Sequence, residues 1–455
     1  MRLIETAQAE LVRKLRSFEN PLPILPANEV DRVLTYFWWD NFDVKKETIQ
    51  GSLHTTHGIA FQEKSPTNLD RNTDIEIPRS NKKSITYQPL QLSQGKIVPH
   101  KNPQLFDAAV NQEYNGHFAD DVILVWNAKR RILSKSLQSV SRFVGWVVKS
   151  FGVQDSNTTN ITFLPPIFNP ITEYRTVLEC IKQSQQLASV SQMKYTHITV
   201  DAGAAQKFFH VIWNNPEEFR NVIIHLGDFH AMMGFFGNIG KLVSRSGFED
   251  VVYQSNLCTS GGITGVISGK HYNRSWDVHE CFAEAVDRLF CEEHLPEISQ
   301  ELEETIKSDG EVTRILQDAE FNNYIKQYNS LQERCIQGEF GKTPMFWMFY
   351  KICVERQHKL HFSINTNDFD LRLHMWKESL PLSFAMNKQN YARYGSYYCK
   401  QLENMERIYP GAKDELQQRG LAVFRNKMNI GQSIDGAGEQ TFMRSSKTTG
   451  KASPI

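Results

Sequence analysis

The sequence predicts an α/β fold: a mixed sheet flanked by helices and interrupted by a large all-helical insertion. Three observations carry this. Apolar, strand-like runs at 30–40 and 58–62 read as an opening hairpin. Between 161 and 226, short apolar runs alternate with helical patterns, which implies parallel pairing with helices on the sheet faces. From about residue 276 to 407 the pattern is almost wholly helical.

The elements follow in order. Residues 1–18 are amphipathic and read as a helix. Residues 64–105 are rich in Asn, Ser, Lys and Pro and read as a long exposed loop. Helices are expected across 105–150. ITFLPPIF at 161–168 is strand-like, and its two prolines place it at a sheet edge or a strand end. A helix at about 171–190 leads into a strand at 195–200. A helix at about 203–214 then precedes NVIIHL, a buried strand at 221–226. In the helical part, Ala283, Val286, Leu289 and Phe290 fall on one helix face, and MFWMFYKIC reads as a buried helix. The expected organisation is 1–63 for the first helix and strands, 64–105 for the loop and 106–257 for the rest of the core. The helical insertion spans 258–420, and 421–455 is a C-terminal segment carrying a late acid.

Composition excludes several classes. The 455 residues carry 51 Lys+Arg against 51 Asp+Glu, so no global field attracts nucleic acid and any DNA contact needs local basic patches. Seven cysteines include no CxxC pair, which argues against a disulfide framework or a zinc finger. They read as reduced thiols of a nuclear or cytoplasmic protein, not a secreted one. No run approaches the roughly 18 apolar residues of a membrane span, so no membrane partner is expected.

Three acids stand out. Asp40 and Asp201 each close an apolar run, in DRVLTYFWWDNFD and YTHITVDAGAAQ, and Glu439 lies in SIDGAGEQTFMRSSKTTG. Acids at the carboxyl ends of sheet strands sit where ligands of α/β sheets collect. Magnesium prefers hard oxygen donors, and paired ions stabilise the attacking and leaving oxygens of a phosphoryl displacement. Against this, an acid after a strand is often a turn former, and Asp201 before AGAAQKFF also reads as a helix N-cap. Asp43 rivals Asp40, but three residues apart on a strand they face opposite ways. Asp435 and Glu439 share a helix face, so either offers the third carboxylate. HLGDFH brings a second candidate pair, Asp228 and His230, with His225 less well placed. The bland reading is that Asp228 caps the next helix and His230 orients a neighbour. His54 and His57 lack a second ligand pair. CTSGGITGVISGKH misses the phosphate-loop spacing and reads as a flexible turn.

Taken together, WWDNFDV, GSLHTTHGIAFQ, ITVDAGAAQ, IIHLGDFHAMMGFFGNIGK, NYARYGSYY and GEQTFMRSSKTTG resemble a domain family of unknown function found in eukaryotic transposon-derived proteins. That family in turn resembles hAT-type DDE transposases. The resemblance implies a ribonuclease H-like core, with an acid on the first strand, an acid on the fourth, a helical insertion and a late glutamate. By it, Asp40, Asp201 and Glu439 are the catalytic and metal-holding residues, with Mg2+ or Mn2+ as cofactor and DNA as partner. A homo-oligomer is compatible with it. GDFH is similar to the short His-ending motif of hAT enzymes, with Gly227 where those have cysteine. No DNA-binding module is recognisable, and the chain stops soon after Glu439, as expected of a decayed or domesticated copy. Three readings follow: a transposase-like phosphodiester transferase that cleaves DNA strands, an inactive transposon-derived protein that binds DNA or protein, and a metal-dependent hydrolase using Asp228 and His230.

Overall fold

The computed structural model describes residues 33–44, 53–63, 118–134, 140–151, 158–164, 169–308, 310–425 and 430–448, together with 114, 116 and 167. The expected helix at 1–18 and loop at 64–105 lie outside these residues.

Aromatic and β-branched residues favour extended backbone, and runs of them in the first half of the chain form the sheet, whereas MFWMFYKIC lies in the helix Lys342–Thr366. β1 is Thr35–Val44, β2 Leu53–Glu63, β3 Thr159–Phe163, β4 Thr196–Val200 and β5 Val222–Leu226. Their spatial order is β3-β2-β1-β4-β5. β2 runs antiparallel to β1 and β3, while β4 is parallel to both β1 and β5. THITV and VIIHL are buried throughout, as strands covered on both faces must be. β3 is the half-exposed edge strand that its prolines foretell.

Alternation along β1 sends successive side chains to opposite faces. On one face, the Trp39 indole N–H donates to Ser184 Oγ at 3.0 Å, in the helix Tyr174–Val190. On the other, Trp38 meets Gly438 of the last helix, Ile434–Thr448. That helix follows a two-residue pairing of Ala422–Val423 with Gln432–Ser433. A Cβ at Gly438 would stand 2.6 Å from the Trp38 ring. The glycines of SIDGAGEQ are therefore points of close approach within a formed helix.

From Ser260 to Arg419 the chain is helical, broken only by short connections and including a π-helical turn at Tyr391–Gly395. Two sequence expectations change here. CTSGGITGVISGKH contains the helix Ser260–Ile267, because Gly237 and Gly240 of the helix Asp228–Val243 let its end pack backbone against backbone. Leu289 is 70% exposed, so it does not join Ala283 and Phe290 in the core.

Gly438→Ala should force Trp38 or the last helix to shift and cost about 1–3 kcal/mol of stability. Gly261→Ala, with nothing within 4 Å of the new methyl, should change little. Thermal melts of the two variants measure this, and equal melting temperatures would contradict the close packing.

Candidate metal centre

The backbone brings two acids together before any side chain is considered. The β1–β4 ladder pairs Trp38 with Thr199, and the same register carried two residues on sets Asp40 beside Asp201. β4 ends there and the helix Ala202–Asn214 begins. Asp40 does not end its own strand, since the hairpin with β2 continues to Val44. It ends only the part of β1 that β4 covers. Asp43 lies three residues farther along β1, paired in the backbone with His54. Opposite Asp40 on β2 stands His57, whose ring nitrogen is 3.0 Å from Thr55 Oγ1 and which burial pushes down to about 4.

Asp201 is the N-cap of the following helix: Oδ1 accepts the Ala204 N–H at 2.6 Å. Its charge reaches Asp40 nevertheless. The Asp40 carboxyl is pushed up to about 7, first by burial, then by Asp201 and also by Glu439, with His230 and the Asn41 N–H pulling the other way. A carboxylate lifted by burial and by neighbouring acids is a group that a cation would stabilise.

The late acids divide their work. Asp435 is fully buried and reaches the start of the helix Asp228–Val243, accepting the N–H groups of Phe229 at 3.1 Å and His230 at 2.9 Å. Gly227, the N-cap residue of that helix, has no side chain with which to cap it. A Cβ at Gly227 would collide with the Asp435 carboxylate, so glycine here is what admits a cap from 208 residues away (435 minus 227). Asp435 Oδ2 also lies 3.1 Å from His230 Nδ1. Burial alone would raise the Asp435 carboxyl, but the hydrogen bonds and charge of His230 hold it below the ordinary range. Burial likewise opposes a charged His230; the bond to Asp435 and the charges of Asp435, Asp40 and Asp201 outweigh it and lift the imidazole to about 9.

One helical turn after Asp435, Glu439 arrives on the same helix face, 35% exposed, with Oε1 3.7 Å from His230 Nε2. Donor atoms of Asp40, His230 and Glu439 all lie within 4.8 Å of one another. Octahedral donors around one ion of magnesium size stand about 3 Å apart when adjacent and about 4.2 Å when opposite. A small contraction would let all three share a cation. Asp40 and Glu439 thus come together with His230, where the sequence reading sets Asp201; Asp201 lies next to Asp40 by strand register, with one oxygen committed to its cap. Asp435 supports the set from beneath.

Asp228 belongs elsewhere. Arg372 spans its carboxylate, Nη2 to Oδ2 at 2.7 Å and Nε to Oδ1 at 3.1 Å, and the Trp376 indole N–H adds 2.9 Å to Oδ1. It is buried and anchors the helix Phe369–Ala385, so it is not available as a ligand with His230. His225 is buried against His197, ring nitrogens 3.0 Å apart, and is held well below the usual imidazole range by burial, then by His197 and Arg372. Tyr391, within NYARYGSYY but not among the expected site residues, donates its hydroxyl to the His230 carbonyl at 2.7 Å. A π-helical turn places it there.

With this geometry established, the chain belongs to the family described as Domain of unknown function (DUF8702), whose model matches residues 143–453. The matched span contains Asp201, His230, Asp435 and Glu439, and Asp40 precedes it. No curated protein and no solved structure matches the chain.

Asp228→Ala should destabilise the protein by roughly 3–5 kcal/mol, because it strands the buried Arg372 guanidinium. Denaturant unfolding measures the loss. Unchanged stability together with lost metal binding would return Asp228 to the metal site.

Proposed function

We propose that this protein is a divalent-metal-dependent phosphodiester transferase of the transposase type, acting on DNA strands, with a ribonuclease H-like core. The reading is supported by Asp40 and Glu439, from opposite ends of the chain, lying with His230 within 4.8 Å of one another, and by a strand register that sets Asp201 next to Asp40. An acid on the first strand, an acid at the end of the fourth, a helical block and then a late glutamate is also the order that the hAT resemblance implies. The glycine standing where hAT enzymes have cysteine finds a local reason, since any side chain at 227 would displace Asp435.

A bound Mg2+ or Mn2+ would supply charge neutralisation at a phosphate and activation of an oxygen nucleophile. The chain's residues would hold it: Asp40 from the sheet, Glu439 from the last helix, and Asp201 from the neighbouring strand end. In this reading water or a 3′ hydroxyl attacks phosphorus in line, and the leaving oxygen departs on the opposite side. Asp201 favours an alternative in one respect. Its cap spends an oxygen on the Ala204 N–H, as suits an inactive copy that keeps the fold and binds DNA or protein.

A strand-transfer and nicking assay on labelled DNA, titrated with Mg2+ and Mn2+, separates the two. Wild-type protein should cut or join strands. Asp40→Asn, Asp201→Asn and Glu439→Gln should each slow it about 100-fold or more while circular dichroism stays unchanged. Folded wild-type protein without metal-dependent activity, or folded variants as active as wild type, would overturn the enzymatic reading.

A further inference from the structure

We infer that His230 is itself a metal ligand, through Nε2, and that the site is built for Mn2+ in preference to Mg2+. The inference rests on the metal-dependent reading above and names the cation and the donor set of that site.

The orientation of the ring is the first observation. Nδ1 faces the buried Asp435 carboxylate at 3.1 Å, so Nε2 is the nitrogen turned toward Glu439 Oε1, 3.7 Å away. A histidine that binds a metal through one nitrogen characteristically gives its other N–H to a carboxylate, which fixes the ring and raises its basicity. The Asp435–His230 pair has that form.

The second observation is rigidity. The His230 N–H donates to Asp435 at 2.9 Å and its carbonyl accepts the Tyr391 hydroxyl at 2.7 Å. Main chain and ring are thus both held before any ion arrives. The third is the company of the ring. Asp40 and Glu439 place carboxylate oxygens within 4.8 Å of the imidazole donor, on groups that are neither fully buried nor fully exposed.

One nitrogen and two carboxylates select among cations. Mg2+ takes oxygen donors and keeps several waters, whereas imidazole suits first-row transition ions better. Mn2+ shares with Mg2+ the preference for carboxylates and, being the first-row transition ion of that group, is the one of the two better suited to an added imidazole.

The test uses the full chain and Mn2+ alone, read by electron spin echo modulation. Wild-type protein should bind Mn2+ with a 14N modulation from a directly bonded imidazole. Mg2+ should displace it only when present in excess over what equal affinity requires. His230→Gln should lose the nitrogen signal and weaken Mn2+ binding. Asp435→Asn should weaken it about tenfold or more while Asp40 and Glu439 remain. Mn2+ bound without nitrogen modulation, or modulation that survives His230→Gln, would overturn the inference and leave the metal-dependent reading standing. Wild-type protein that binds no Mn2+ would overturn both.

Discussion

The structure of the site depends on one buried carboxylate. Asp435 closes the amino end of the helix Asp228–Val243, which lacks a cap of its own, and in doing so docks the last helix onto the sheet. Buried backbone N–H groups left without partners are costly, so this contact has a strong reason to form. Once it forms, helical spacing decides the rest. Glu439 is one turn away on the same face and lands beside Asp40, while Gly438 lies flat on Trp38. A residue at 227 larger than glycine would break the arrangement at its root.

Much of this was legible in the sequence. The strands announced themselves by apolar runs at 30–40, 195–200 and 221–226, the first of which forms a strand displaced to Thr35–Val44, and alternation with helices foretold the parallel neighbours β4 and β5. Asp40 and Asp201 both read as closing strands in the sequence; Asp201 follows the end of β4, whereas Asp40 ends only the part of β1 that β4 covers. The division between Asp435 and Glu439 did not follow, because four-residue spacing makes the two equivalent until one face meets a helix end. Nor did the fate of Asp228. A residue just after a strand looks like a cap or a ligand, and its true partner, Arg372, is 144 residues farther on.

Glycine was the least readable residue. In isolation GQSIDGAGEQTF looks like a poor helix start, and CTSGGITGVISGKH looks like a flexible turn. Both form helices because glycine permits contacts closer than any side chain would. Gly237 meets the Ser268 carbonyl, Gly436 meets Phe229, and Gly438 meets Trp38. Intrinsic preference is a local property, and these contacts are gained only in the assembled fold. The helical block that separates Asp201 from Glu439 has a fixed interior of its own. Lys351, almost wholly buried, pairs with Asp287 at 3.3 Å and Glu355 at 2.7 Å. Among the described residues no helix is long and apolar enough to cross a membrane.

The central claim is that one cation joins the sheet to the last helix at Asp40, His230 and Glu439. Anomalous diffraction from crystals of the full chain soaked in Mn2+ tests it most directly. The account predicts an anomalous peak within about 2.0–2.4 Å of an oxygen from each of Asp40 and Glu439 and of His230 Nε2. A peak elsewhere, or a last helix docked without Glu439 at the end of the sheet, would contradict it.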